Sequence, residues 1–180
     1  MQAGARDFLP VPFVRDDLLE ALARVERDRQ STAQAGQAAV TAVVNSKGGS
    51  GATLLACNVA HLLAVLSQRR VALVDLDVQF GTLPLYLALY PQRGLVQALA
   101  NLDELDATAL DGYMTRHASG VGVLGHSGED SLQLGEVAGR EIERLLDLLC
   151  RSYDNVVIDL PRRIDPASVA VFERASNVVV

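Results

Sequence analysis

Thr41 to Thr53, TAVVNSKGGSGAT, constrains this chain more than any other stretch. Ala42 to Val44 is a short apolar run that reads as a buried strand. A glycine-rich turn follows, and Leu54, Leu55, Val59, Leu62, Leu63 and Leu66 then recur at helical spacing. A strand, a tight loop and a helix start, in that order, turn unpartnered first-turn N–H groups and the positive end of the helix dipole toward the loop. That arrangement suits the oxygens of a polyphosphate. Gly48, Gly49 and Gly51 allow the close backbone approach that a Cβ would block.

The ordinary phosphate-loop pattern, G-x-x-x-x-G-K-[ST], is half met. Aligned on Gly51 and Thr53, its first Gly falls on Ser46 and its Lys on Ala52. A lysine stands five residues earlier, at Lys47. It is the only Lys in the chain, every other basic residue being Arg, so the one compact ammonium lies at the glycine loop.

S-K-G-G-S-G-A-T resembles the deviant Walker A loop of the MinD/ParA family of P-loop ATPases, whose usual form is K-G-G-x-G-K-[ST]. The resemblance implies ATP and Mg²⁺ as cofactors, with Gly48, Gly49, Ser50, Gly51, Ala52 and Thr53 around the phosphates. It implies that Lys47 is the signature lysine that reaches across a nucleotide-sandwich homodimer. Ala52 departs from the family, because the cis lysine belongs there.

Two more buried-type strands end in carboxylates. Val71 to Val74 leads into Asp75-Leu76-Asp77, and Asn155 to Leu160 carries Asp159 near its end, followed by Pro161. In an open parallel sheet, ligands collect outside the carboxyl ends of strands, so these acids can share a pocket with the glycine loop. An acid ending an apolar strand is the Walker B arrangement, in which the carboxylate holds magnesium. D-L-D-V-Q-F-G resembles the family's switch I segment, and by that likeness Asp77 aligns the attacking water while Asp75 and Asp159 stand at the metal with Thr53. Arg162 and Arg163 fall in the position of switch II, where a phosphate, a partner subunit or water could meet them.

The predicted fold is α/β, a mostly parallel sheet with helices on both faces. Beyond the glycine-loop helix, short helices are predicted at Leu83 to Leu89 and Gly94 to Ala100. Longer ones are predicted at Asp106 to His117 and Glu136 to Arg151, and a strand at Val121 to Leu124. His117 and His126 have no suitably spaced acid or nucleophile and read as surface or turn residues.

Residues 1–29 read as a separate piece. A-G-A-R-D-F-L-P-V-P-F resembles the end of a response-regulator receiver domain, with Val11 where that family has its switch lysine. Residues 30–39 read as a linker, and 40–180 as the P-loop domain, expected to lack its C-terminal part. This order of parts, together with D-L-D-V-Q-F-G-x-L-x-L-Y-L, L-D-G-Y-M-x-x-H-x-S-G and V-I-D-L-P-R, resembles the CpaE/TadZ subgroup. These are MinD/ParA-like proteins of type IVb (Tad/Flp) pilus assembly. The resemblance implies a homodimer that works with pilus and secretion machinery, at a pole or peripheral to the inner membrane. A ParA-type DNA-partitioning ATPase and a nucleotide-independent scaffold remain alternatives.

Net charge is −6, which argues against a surface built for non-specific nucleic-acid binding. Cys57 and Cys150 are too few and too far apart for a disulfide framework, which points to a reducing cytoplasm. No apolar run reaches the length of a membrane span.

Overall fold

β1 (Ala39–Val44), β2 (Val71–Asp75) and β5 (Asn155–Leu160) are the near-continuous apolar strands that a sheet covered on both faces requires. They lie side by side at its centre in a computed structural model that describes residues 14–20, 23, 38–127 and 137–180. The strand order is β3-β4-β2-β5-β1-β6, with β3 (Thr115–Arg116), β4 (Gly122–Leu124) and β6 (Asn177–Val179) completing the six. Every pairing is parallel except β3 with β4 at one edge.

Strand alternation sorts the core into two halves. Val40, Ala42, Ala72, Val74, Val156 and Ile158 join the cluster that includes Ile142, Leu145, Leu146 and Leu149 of α5 (Gly139–Ser152) and Ala170 and Val171 of α6 (Pro166–Arg174). Val43, Leu73 and Val157 point the other way, toward α1 (Ala52–Ser67), which buries Ala56, Cys57, Val59 and Ala60. Asp75 and Asp159 share the phase of Leu73 and Val157, so both project on the face covered by α1. The register pairs Asp75 with Asp159 directly across the two strands.

Three short helices, α2 (Leu83–Tyr86), α3 (Leu95–Ala100) and α4 (Ala107–Asp111), fill the connection from β2 to β3. The helix expected over Asp106 to His117 is only its first half. Asp106 caps it by accepting from the N–H groups of Thr108 and Ala109, at 2.9 and 2.6 Å, and it ends at Gly112. The chain then turns so that Thr115 and Arg116 pair with Val123 and Gly122. Leu110 and Met114 are spaced like helix neighbours and are both buried, which explains why periodicity alone overextends the helix. The helix expected to run to Leu89 likewise stops at Tyr86, and Ala88 takes a left-handed φ of 52°.

Chain contacts divide the protein after Gln37. In the first unit, residues 15–20 are helical. The receiver-like motif from Ala3 to Phe13, including Val11, lies outside the described residues, as does Glu136. Among the described residues no helix is long and apolar enough to cross a membrane.

Candidate functional site

The loop between β1 and α1 is held open by one side chain. Asn45, just past β1, accepts through Oδ1 from the Ser50 hydroxyl at 2.8 Å and from the Ala52 N–H at 3.3 Å. Gly49 and Gly51 take left-handed φ values of 78° and 89°, which an L side chain resists. The Ser50 N–H closes the turn onto the Lys47 carbonyl at 3.2 Å. The amides of Gly48, Gly49 and Gly51 donate to nothing among the described residues, and an added Cβ at any of the three would meet no atom within 4 Å. The protein thus leaves both the donors and the space to something else. Ala52 differs from the other loop positions, since its side chain is buried and its N–H is engaged by Asn45. Lys47 is exposed and makes no ion pair among the described residues.

Beside the loop, a cleft of about 100 Å³ is lined by Thr53, Asp75, Asp77, Asp159 and Arg162. Asp75 is buried and accepts from the N–H groups of Leu83 and Asp77, at 3.0 and 3.1 Å. Asp77 in turn accepts through Oδ1 from the N–H groups of Gln79 and Phe80. Asp159 is also buried, and its Oδ1 has no hydrogen-bond partner among the described residues. Burial pushes Asp75 up to about 7, against the pull of the Leu83 amide and with a push from the Asp159 charge. Burial likewise raises Asp159 to about 6, while the Thr53 hydroxyl beside it favours the charged form and Asp77 opposes it.

Two adjacent buried carboxylates, one oxygen of them orphaned, with a hydroxyl alongside, form a hard oxygen donor set of the kind that suits magnesium. Among the described residues no group of three His, Cys, Asp or Glu side chains could hold a metal ion by itself. Magnesium keeps waters and phosphate oxygens and takes only one or two carboxylates from the protein.

The raised acids make stability depend on pH. Between an unfolded value of 3.8 and the folded values of about 6 and about 7, the folded state holds more protons than the unfolded chain, so stability falls as pH rises through this window. The melting temperature of the metal-free protein is expected to drop from pH 5 to pH 8. Millimolar Mg²⁺ with nucleotide should restore it more at pH 8 than at pH 5, which differential scanning fluorimetry would check.

The sequence placed Asp75, Asp77, Asp159, Thr53 and the glycines in one region, and the structure brings Thr53 and the three acids into one cleft, with the glycines in the loop that leads into Thr53 and not in the cleft lining. It left Arg162 open, and the structure puts that residue in the cleft wall while tying Arg163 to Asp165. Sequence reasoning missed Asn45, whose only signal is a polar residue ending an apolar strand just before the loop. It also missed Gly81, which packs against the Asp75 carboxylate. His117 lies in the turn between β3 and β4, with Nδ1 at 2.8 Å from the Ser119 hydroxyl, far from this chemistry in role.

Residues 41–167 match the CobQ/CobB/MinD/ParA nucleotide binding domain. The chromosome-partitioning ATPase Soj of Thermus thermophilus is 32% identical over 139 residues, which cover 77% of this chain and 52% of that protein. The chain therefore spans about half the length of this curated relative. A ParA family ATPase from Chlorobium tepidum shares the fold with a TM-score of 0.71 at 23% identity, over 80% of this chain and 60% of the other. Cobyrinic acid a,c-diamide synthase from Mycobacterium smegmatis, solved with bound ADP and magnesium, gives a TM-score of 0.60 at 27% identity, over 78% of this chain and 58% of its own. With a family match over most of its length, a parallel sheet in the matching architecture and an open amide loop beside paired carboxylates, the chain belongs to the CobQ/CobB/MinD/ParA nucleotide-binding family.

Proposed function

We propose that this protein binds Mg-ATP at the Ser46–Thr53 loop and uses the bound nucleotide to form a homodimer that localises or assembles type IVb pilus machinery. The observation that carries the nucleotide reading is the orphaned Oδ1 of Asp159 beside Thr53, at the mouth of a loop whose glycine amides are free. The amides of Gly48, Gly49 and Gly51 cradle phosphate oxygens, the Thr53 hydroxyl and Asp159 hold Mg²⁺ with Asp75 behind them, and Asp77 orients water. Magnesium, when bound, would neutralise charge on the terminal phosphates. Lys47, exposed and without an ion pair among the described residues, is free to reach a second copy's phosphates. The pilus assignment rests on the CpaE/TadZ-like stretches of the sequence. Without a lysine at position 52 the loop itself offers one charge-assisted bond to phosphate fewer, a contribution of about 1.5–3 kcal/mol whose loss from the loop slows hydrolysis more readily than it prevents binding.

The test is Mg-ATP binding together with mass in solution, with and without ATP. Binding with a shift from monomer to dimer is expected, and Lys47→Ala is expected to bind ATP yet remain monomeric. A Lys47→Ala protein that still dimerises on ATP removes the role in trans, and a wild-type protein that ignores millimolar Mg-ATP removes the nucleotide reading.

The likeness to a chromosome-partitioning ATPase favours a second reading, an ATPase with DNA as cargo. A net charge of −6 weighs against it. Salt-sensitive DNA binding would reverse that judgement.

A further inference from the structure

Arg162 stands three residues beyond Asp159, past Pro161 at the end of β5. It lines the same cleft as Thr53, Asp75, Asp77 and Asp159, and among the described residues lining that cleft it is the only cation. Its guanidinium is exposed and makes no hydrogen bond or ion pair among the described residues, although three carboxylates share the cleft. Arg163, its neighbour, is by contrast bound to Asp165, the residue that caps α6. An arginine with no partner among the described residues, in an acidic cleft beside a phosphate loop, is unspent electrostatic capacity. The loop itself lacks a cation at position 52, where a small buried Ala contributes only packing. Guanidinium groups suit phosphate oxygens because they offer a planar fork of donors and stay charged at every working pH.

We propose that Arg162 is the cis cation of this site: it binds the terminal phosphate of the nucleotide from the cleft side and supplies the charge that the loop lacks at Ala52. The proposal rests on the nucleotide-binding reading above. Arg162 lines the cleft together with Thr53, Asp159 and Asp77, the residues assigned above to the metal and the attacking water, whereas the loop glycines are not part of that lining, so its partner is the outermost phosphate. Discrimination between ATP and ADP follows, since ADP has no group there.

The experiment compares Mg-ATP and Mg-ADP binding by calorimetry in the wild type, Arg162→Ala, Arg162→Lys, Arg163→Ala, Ala52→Lys and the double variant Ala52→Lys/Arg162→Ala. The loss of one charge-assisted bond predicts that Arg162→Ala weakens ATP roughly ten- to hundredfold. ADP should weaken less than about threefold, and Arg162→Lys should recover part of the loss. Arg163→Ala should bind both nucleotides like the wild type. Melting temperatures should match across the Arg162 variants, because an exposed side chain without partners contributes little to folding. In the Ala52→Lys background the effect of Arg162→Ala should shrink, the non-additivity expected of two cations serving one phosphate.

Wild-type ATP binding that Arg162→Ala leaves unchanged overturns the proposal while leaving the nucleotide reading intact. An equal loss for ATP and ADP overturns the terminal-phosphate role, and full additivity with Ala52→Lys overturns the substitution for the missing lysine. A wild-type protein that binds neither nucleotide overturns the nucleotide reading itself, and the role of Arg162 with it.

Discussion

Asp159→Asn is expected to make the metal-free protein more stable at pH 8 and at the same time to abolish its response to Mg-nucleotide. The side chain is nearly isosteric, so packing around the end of β5 is retained. In the folded protein Asp159 rises to about 6 because burial opposes its charge, so at pH 8 a carboxylate is held ionised where the described residues offer it one hydroxyl and no partner for Oδ1. Neutralising it should relieve about 1–3 kcal/mol, a rise in melting temperature of a few degrees for a domain of this size. The gain should shrink as pH falls and vanish below the unfolded value of 3.8, where the wild-type carboxyl is protonated in both states. Binding goes the other way. Changes to groups behind a metal ligand already cost roughly 10–100-fold in affinity, so replacing the proposed ligand itself should cost at least that much. Thermal melts at two pH values, with and without Mg-ATP, check both halves. An Asn variant that melts like the wild type in all four conditions would mean that Asp159 is a structural acid with no ligand to serve.

Gly81→Ala and Gly48→Ala should separate what the fold needs from what the ligand needs. A Cβ at Gly81 would lie 2.5 Å from the Asp77 carbonyl oxygen and 2.6 Å from Asp75 Oδ2. Neither atom is the far end of a flexible side chain. The first is backbone, already accepting from the Gly81 N–H at 2.8 Å, and the second is a buried carboxylate pinned by Leu83. Overpacking of this kind costs about 1–3 kcal/mol, so the metal-free protein should melt roughly 2–10 °C lower. Displacing Asp75 should also weaken Mg-nucleotide binding. At Gly48, by contrast, no protein atom lies within 4 Å of the added methyl, and the backbone is not in the left-handed region. Gly48→Ala should therefore fold like the wild type and lose affinity for phosphate alone. If Gly48→Ala binds Mg-ATP normally, the phosphates do not pass over Gly48 and the cradle has to be drawn elsewhere.

The two carboxylate strands and the glycine loop were legible in the sequence because each is a local pattern: an apolar run, then an acid or a turn. Strand phase was not, because the runs that carry Asp75 and Asp159 are buried and apolar at nearly every position and offer no alternation to read. Nor was the direct juxtaposition of the two acids, because it follows from β5 lying between β2 and β1, a matter of topology that residues some eighty positions apart do not announce. Asn45 escaped for a similar reason. Its value lies in which amide and hydroxyl it reaches, and a single Asn after a strand carries no periodicity. The helix over Asp106 to His117 was overextended because Leu110 and Met114 keep helical spacing after the backbone has left the helix to pair Thr115 with Val123. The arginines after Asp159 were ambiguous in sequence. What separates them is a local ion pair that occupies Arg163 and leaves Arg162 facing the cleft.

The Asn45 brace bears on how quickly the site can work. A glycine-rich loop tethered only at its ends samples many shapes, and a ligand that must freeze it gives up affinity to conformational entropy. Here one carboxamide oxygen gathers the Ser50 hydroxyl and the Ala52 N–H, so that ordering is completed when β1 and α1 come together. A nucleotide then meets a receptor that is already shaped. Capture should proceed at the pace of encounter rather than of loop rearrangement, and the slow step of any cycle moves downstream, to the departure of what was bound.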